Sequence, residues 1–239
     1  MSTVAAIQAI TSLAEFKQTA GHQFVMKFLY MGIIKPISDK LDSDDLKAVF
    51  DEPLITTSLP RDLHSSINIQ TPNLSFGLCT SHFTERQQHT ISQYASQYLV
   101  SPSTVSAFLL IIHNDPPASI IDSDIQAARN ATALLCAQRQ LSILSNCVYD
   151  SDNMDQLSWV FSLTLTTEEA RLNFHFIETG RDEPFYRMHC LRRYDLGCVD
   201  DVKVLQRHLW NVLDYGVQYR RYHVVETLEM LDEKAEGWT

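Results

Sequence analysis

Apolar positions recur along this chain at two periods, and the switches between them divide it into elements. Ser12-Leu13-Ala14-Glu15 has the form of a capping box, with Ser12 at the N-cap and Glu15 three residues on. Apolar residues follow at helical spacing through Phe16, Phe24, Val25, Phe28 and Leu29, until Pro36 ends the pattern. A second, shorter helix is expected from Ser43 to Glu52, stopped before Pro53. Residues 1–60 therefore read as a helical N-terminal extension, most simply a cover over the sheet that follows.

From Ser66 the period drops to two. Ile67, Ile69, Leu74, Phe76 and Leu78 alternate with other residues, which predicts a strand over Ile67–Leu78. Thr84-Glu85-Arg86-Gln87 is a further capping box opening a polar, amphipathic helix to about Leu99. Val105–Ile112 is a nearly continuous apolar run, as a strand covered on both faces requires. Asp115-Pro116-Pro117 ends it, and Asp122 or Ser123 is expected to cap a helix reaching Leu144. Trp159–Leu165 and Arg171–Ile177 read as a hairpin turning at Thr166–Glu169. Phe185–Leu191 is a third strand after the Gly180-Arg181-Asp182 turn. The helical period returns from Val199, breaks near Gly216, and resumes through Val224, Val225, Leu228 and Leu231.

That order predicts an α/β fold, a mixed sheet flanked by helices, over residues 61–239. Composition supports a substantial core, with 45% hydrophobic and 10% aromatic residues in 239. The net charge of -10 is shared between the halves: residues 1–150 carry 9 basic and 13 acidic groups, residues 151–239 carry 10 and 16. A phosphate backbone is repelled by such a chain unless arginines gather locally, so nucleic acid is disfavoured as a partner. The five cysteines, Cys79, Cys136, Cys147, Cys190 and Cys198, have neither zinc-site nor disulfide-framework spacing. With no signal segment and no long apolar run, a soluble intracellular protein, cytoplasmic or nuclear, is expected.

Two segments carry a resemblance. Thr71-Pro72-Asn73-Leu74-Ser75-Phe76-Gly77-Leu78 and Ala107-Phe108-Leu109-Leu110-Ile111-Ile112-His113-Asn114 resemble the two active-site strands of a nuclease. Gln126-Ala127-Ala128-Arg129-Asn130, Val160-Phe161-Ser162-Leu163 and Asn211-Val212-Leu213-Asp214-Tyr215-Gly216 follow in the same order. Together they resemble a largely uncharacterised fungal family related to the PD-(D/E)XK nucleases, over roughly residues 65–232. The resemblance implies a restriction-endonuclease-like fold. It also implies a site in which an Asp and a Glu hold Mg²⁺ while a Lys supports the attacking water.

At the matching positions this chain has Asn73 for the Asp, Ile112 for the Glu and Asn114 for the Lys, with Gln126 beyond them. An Asn carbonyl is a weak neutral ligand and Ile is none. The expectation is a degenerate site with no catalytic residues, no metal and no cofactor. The protein is then a pseudo-nuclease working as an interaction or scaffold module with a protein partner. Two alternatives stand beside it: a non-catalytic nucleic-acid binder, and an active nuclease whose carboxylates have moved to Asp115, Asp122 or Asp124.

Other constellations are weaker. His175 and His189 fall on neighbouring strands near Cys190, but adjacent strand residues face opposite sides. No catalytic glycine, serine or zinc motif occurs. Arg187, Arg192 and Arg193, with Arg220 and Arg221 further on, form the best candidate contact for an anion or a partner, flanked by Tyr186, Tyr194, Tyr219 and Tyr222. Nearby acidic residues make internal ion pairs the first expectation for them. Partner-binding aromatics are sought first on the N-terminal helix (Phe24, Phe28, Leu29, Tyr30), then at Tyr215, Tyr219 and Tyr222.

Overall fold

In the computed structural model, residues 46–54, 68–95, 99–101, 104–114, 118–145, 159–179 and 184–236 are described. The strands are β1 (Leu46–Phe50), β2 (Leu74–Cys79), β3 (Leu99–Ser101), β4 (Thr104–His113), β5 (Val160–Leu165), β6 (Glu169–Thr179) and β7 (Pro184–Asp195). The helices are α1 (Glu85–Gln93), α2 (Ile120–Ser145), α3 (Val199–Tyr215) and α4 (Arg221–Glu236), the last two joined by a π-turn at Gly216–Arg220.

Among the described residues the strands form one mixed sheet in the order β1-β2-β4-β5-β6-β7, with β3 pairing β4 off that path. Only β4 and β5 are parallel, and α2 supplies the crossover a parallel pair needs. The expected α/β fold with a mixed, helix-flanked sheet is what forms. β4, at its centre, is buried at all ten positions, in keeping with its unbroken apolar run.

Each face of the sheet has its own cover. Leu74, Phe76, Phe108, Leu109, Ile111, Leu163 and Leu172 meet Val202, Leu205, Leu209 and Leu213 of α3. On the other face Ala107, Leu110, Val160 and Ile177 meet Ala131, Leu134 and Leu135 of α2. At one end Leu78, Phe83, Ile91 and Val105 pack with Leu141 of α2 and Val224, Leu228 and Leu231 of α4. There Arg86 of α1 donates to Asp232 of α4 at 2.9 Å.

Several expectations need correction. The segment read as a helix over Ser43–Glu52 contains strand β1, antiparallel to β2 from the Leu46–Leu78 pair to the Phe50–Leu74 pair. Leu46, Val49 and Phe50 have helical spacing, but so short an apolar pattern is ambiguous, and the open edge of β2 decides it. The strand expected from Ile67 begins only at Leu74, because Pro72 lacks the N–H that a ladder requires. The helix from Thr84 keeps its capping box but ends at Gln93, and Leu99 is already in β3. Neither Asp122 nor Ser123 is the cap of α2. Ser119 precedes the first turn, and Asp122 accepts from the Ser119 N–H at 2.7 Å. Gly216 does not break the helix, which passes through it as a π-turn. The N-terminal helix expected after Ser12 lies outside the described residues.

Two glycines are fixed by close approach. The β2–β4 register slips between Phe76 and Leu78, where Ser106 takes a φ of 48°. A Cβ on Gly77 would lie 2.8 Å from the Val105 carbonyl oxygen and clash with Thr104. A Cβ on Gly216 would enter the ring of Phe108, which is wholly buried.

Candidate functional site

Asn73 and Ile112, expected from the resemblance as degenerate site positions, lie side by side. β2 pairs with β4 through Leu74 opposite Ile111, so Asn73 and Ile112 stand one step further along adjacent strands. The Asn73 Oδ1 accepts from the His113 N–H at 2.5 Å, and the Asn73 carbonyl accepts from the Asp51 N–H at 3.1 Å. Asn73 is thus a side-chain clasp between the start of β2 and the end of β4. Ile112 has no exposed surface. The Asn114 Nδ2 donates to the Ser123 Oγ at 3.1 Å, and the Gln126 Nε2 donates to the Thr71 carbonyl at 3.2 Å. Both helix partners lie in the first turns of α2, so these amides fasten that helix to the strand ends. The Gln126 Oε1 and both side-chain polar atoms of Asn130, one turn on, are buried without a hydrogen-bond partner among the described residues.

Of the three carboxylates considered as replacements, Asp115 lies outside the described residues. Asp122 is held below its ordinary carboxyl range by the Ser119 backbone N–H and hydroxyl, as a helix-start residue should be. Asp124 is the informative one. It is nearly buried, and its Oδ1 accepts from the Thr164 Oγ1 at 2.6 Å and the Asn173 Nδ2 at 3.2 Å. Its Oδ2 accepts from the Arg171 Nη1 at 2.8 Å, while the Arg171 Nε donates to Glu169 at 2.6 Å. Glu169 first, then Asp124, raises the Arg171 guanidinium above its ordinary value.

This polar network continues along the same face of the hairpin. Asn173 reaches the Ser162 Oγ at 3.4 Å, and Ser162 shares a 2.8 Å hydrogen bond with the His175 Nε2. Burial drives His175 down to about 3, so the imidazole is neutral. Ser162 is fully buried and His175 only 2% exposed, which closes this serine–histidine pair to any substrate. This network is assigned no role from the sequence alone, although the sequence carries a signal of it. Ser162 and Thr164 on β5, and Arg171, Asn173 and His175 on β6, are polar at period two where an apolar face is expected.

The arginines do not gather. Arg187, Arg192 and Arg193 lie on β7, at one edge of the sheet. Arg220 lies in the π-turn, which touches β2, and β4, β5 and β6 separate β2 from β7. Arg220 is also 2% exposed, its guanidinium depressed by burial and supported by the Tyr215 hydroxyl, so it cannot meet an external anion. Arg221 begins α4 and belongs with Arg220 rather than with β7. The expected internal pairing is realised by Arg187 with Glu178 at 2.6 Å and Arg192 with Asp201 at 3.5 Å. His175 and His189 remain apart, since His175 stands opposite Met188 and His189 opposite Phe174. Of the aromatic sites proposed for a partner, Tyr219 and Tyr222 are more than half exposed. Tyr219 stacks on Tyr215 at 6.2 Å, and Tyr215 in turn meets Trp159, just ahead of β5, and Phe161 within it.

Among the described residues no group of three His, Cys, Asp or Glu could hold a metal ion, and the cysteines there form no disulfide with one another. No described helix is long and apolar enough to cross a membrane. No curated protein and no solved structure matches the chain. The family described as Domain of unknown function (DUF7924) matches residues 35–228, from ahead of β1 into α4, and the chain belongs to that family.

Proposed function

We propose that the protein is a non-catalytic relative of the PD-(D/E)XK nucleases that serves as a protein-interaction module. The observation that carries this reading is the use made of the three degenerate positions. Asn73 and Asn114 spend their amides on holding β2, β4 and α2 together, and Ile112 is core. A mixed sheet flanked by helices, with the two resembling strands side by side, supports the restriction-endonuclease-like part of the reading.

A catalytic Mg²⁺ does not fit these residues. It requires several hard oxygen ligands, at least one of them charged. The Asn73 Oδ1 is already an acceptor for a backbone N–H, and Asn114 uses its amide as a donor. Asp124, the buried carboxylate near them among the described residues, has both oxygens committed to Arg171, Thr164 and Asn173. Titration calorimetry with Mg²⁺ and Mn²⁺ is expected to reveal no site tighter than about millimolar, and plasmid cleavage to stay at background. Metal-dependent cutting that disappears on Asp115→Asn, Asp122→Asn or Asp124→Asn would overturn the reading in favour of relocated carboxylates.

A further inference from the structure

β7 ends the sheet, and its 12 residues present a second edge to which no strand is paired among the described residues. No backbone hydrogen bond among the described residues leaves that edge between Phe185 and Tyr194. Natural edge strands are usually kept short or broken, because a long free edge is a template for another strand. Here the devices lie at the ends: Pro184 opens the strand, and a register shift opposite Leu172 and Asn173 bulges it at Leu191. Phe185–Cys190 between them is regular.

The side chains along this stretch define what could pair with it. Phe185, Arg187 and His189 share one face, with the Arg187 guanidinium 5.4 Å from the Phe185 ring centroid. Tyr186, Met188 and Cys190 share the other. Phe185, Met188 and, at the bulge, Leu191 are exposed large hydrophobics. From Pro184 to Tyr194 the strand carries Arg187, His189, Arg192 and Arg193 and no acidic residue. The Arg187–Glu178 pair is 54% exposed on both sides, so it is weak and open to exchange. A second copy of this strand would bring the same basic residues within reach of one another. An acidic segment would complement them.

We propose that the outer edge of Phe185–Cys190 receives an extended segment of a partner protein as an added strand. The segment alternates acidic residues, beside Arg187 and His189, with apolar residues, beside Met188. Main-chain hydrogen bonds supply the attachment and the alternate side chains its selectivity. This rests on the interaction-module reading and gives its partner a chemistry.

The test uses the full chain and fluorescence anisotropy with short capped peptides of alternating Glu and Val. That peptide should bind, while the same composition arranged in two blocks, and a Lys–Val alternation, should bind at least about tenfold more weakly. Methylating every second amide nitrogen of the peptide in one register should abolish binding, and in the other register leave it. Arg187→Glu and His189→Glu should each weaken binding several-fold without moving the melting temperature. Absence of binding, indifference to Arg187→Glu, or equal effects of the two methylation registers would overturn the proposal. So would a dimer of the chain in sedimentation that Met188→Lys abolishes, since the edge would then belong to a second copy. Failure here with metal-dependent cleavage still absent removes this edge alone. Cleavage removes the functional reading whatever the peptides do.

Discussion

Asp124 and Arg171 form an ion pair that α2 holds against the hairpin, with side chains 12% and 14% exposed. Charges so placed are tolerated only while paired, because each has given up most of its hydration. Replacing Asp124 by Ala should therefore cost about 3 kcal/mol in urea unfolding, since Arg171 would keep only Glu169. The double variant Asp124→Leu with Arg171→Met should recover much of that loss, and a double as unstable as the single would show that the pair is not the reason. His175 provides a second residue-scale prediction. Its folded value, about 3, is depressed by burial below the unfolded value of 6.5, so the unfolded chain binds the proton first. The stability it contributes is complete above pH 6.5 and is lost as pH falls towards 3, at roughly 1.4 kcal/mol per pH unit. Denaturation midpoints measured at pH 7.5 and pH 5 should differ, and His175→Asn should flatten that part of the difference. At Gly216 the constraint is steric. Gly216→Ala drives a methyl into the buried Phe108 ring and should cost about 2 kcal/mol, whereas Phe108→Leu should relieve part of the penalty in the double variant.

Among the elements, β4, the β5–β6 hairpin and α3 were legible in the sequence because each announces itself without help from a neighbour. An unbroken apolar run, two alternating runs across a short polar turn, and a helical stripe from Val199 leave little choice of period. β1 was not legible. Leu46–Phe50 satisfies both periods, and its state is decided by β2, a strand that the local sequence does not contain. The cap of α2 was not legible for a related reason. Asp122 has the composition of an N-cap, yet it acts from the first turn by reaching back to Ser119, a reciprocal arrangement that any of several nearby polar residues could have made. The juxtaposition of Asn73 and Ile112 at the ends of neighbouring strands was legible in the sequence. Their present work was not, because clasping a backbone N–H requires knowing which strand arrives beside Asn73. That work makes a prediction at the scale of the β2–β4–α2 junction. Asn73→Asp should keep the acceptor for the His113 N–H and be tolerated. Asn73→Ala removes it, leaves that buried N–H unsatisfied, and should cost about 1–3 kcal/mol in chemical denaturation. Equal stability of the two variants would mean that the clasp contributes nothing.

At the scale of the whole molecule, the question is where the folded unit begins. Strand β1 is short, but it covers the edge of β2 and brings Leu46 and Ala48 against the core shared with α3. Val49 is itself buried. The family match also starts ahead of it, at residue 35. A boundary drawn at residue 60 would therefore cut through the sheet rather than beside it. A chain beginning at residue 35 should unfold in one cooperative transition with α3 and α4 intact, as judged by circular dichroism and tryptophan fluorescence together. A chain beginning at residue 53 lacks β1, uncovers the edge of β2 and exposes part of the apolar surface around Leu74 and Phe76. It should melt lower, and it should bind a hydrophobic dye that the longer chain does not. If the two truncated chains melt alike, β1 is an ornament of the sheet, and the core is complete from β2 onward. If the chain from residue 35 already fails to fold cooperatively, the residues before it are part of the core, and no boundary inside the chain separates an extension from a domain.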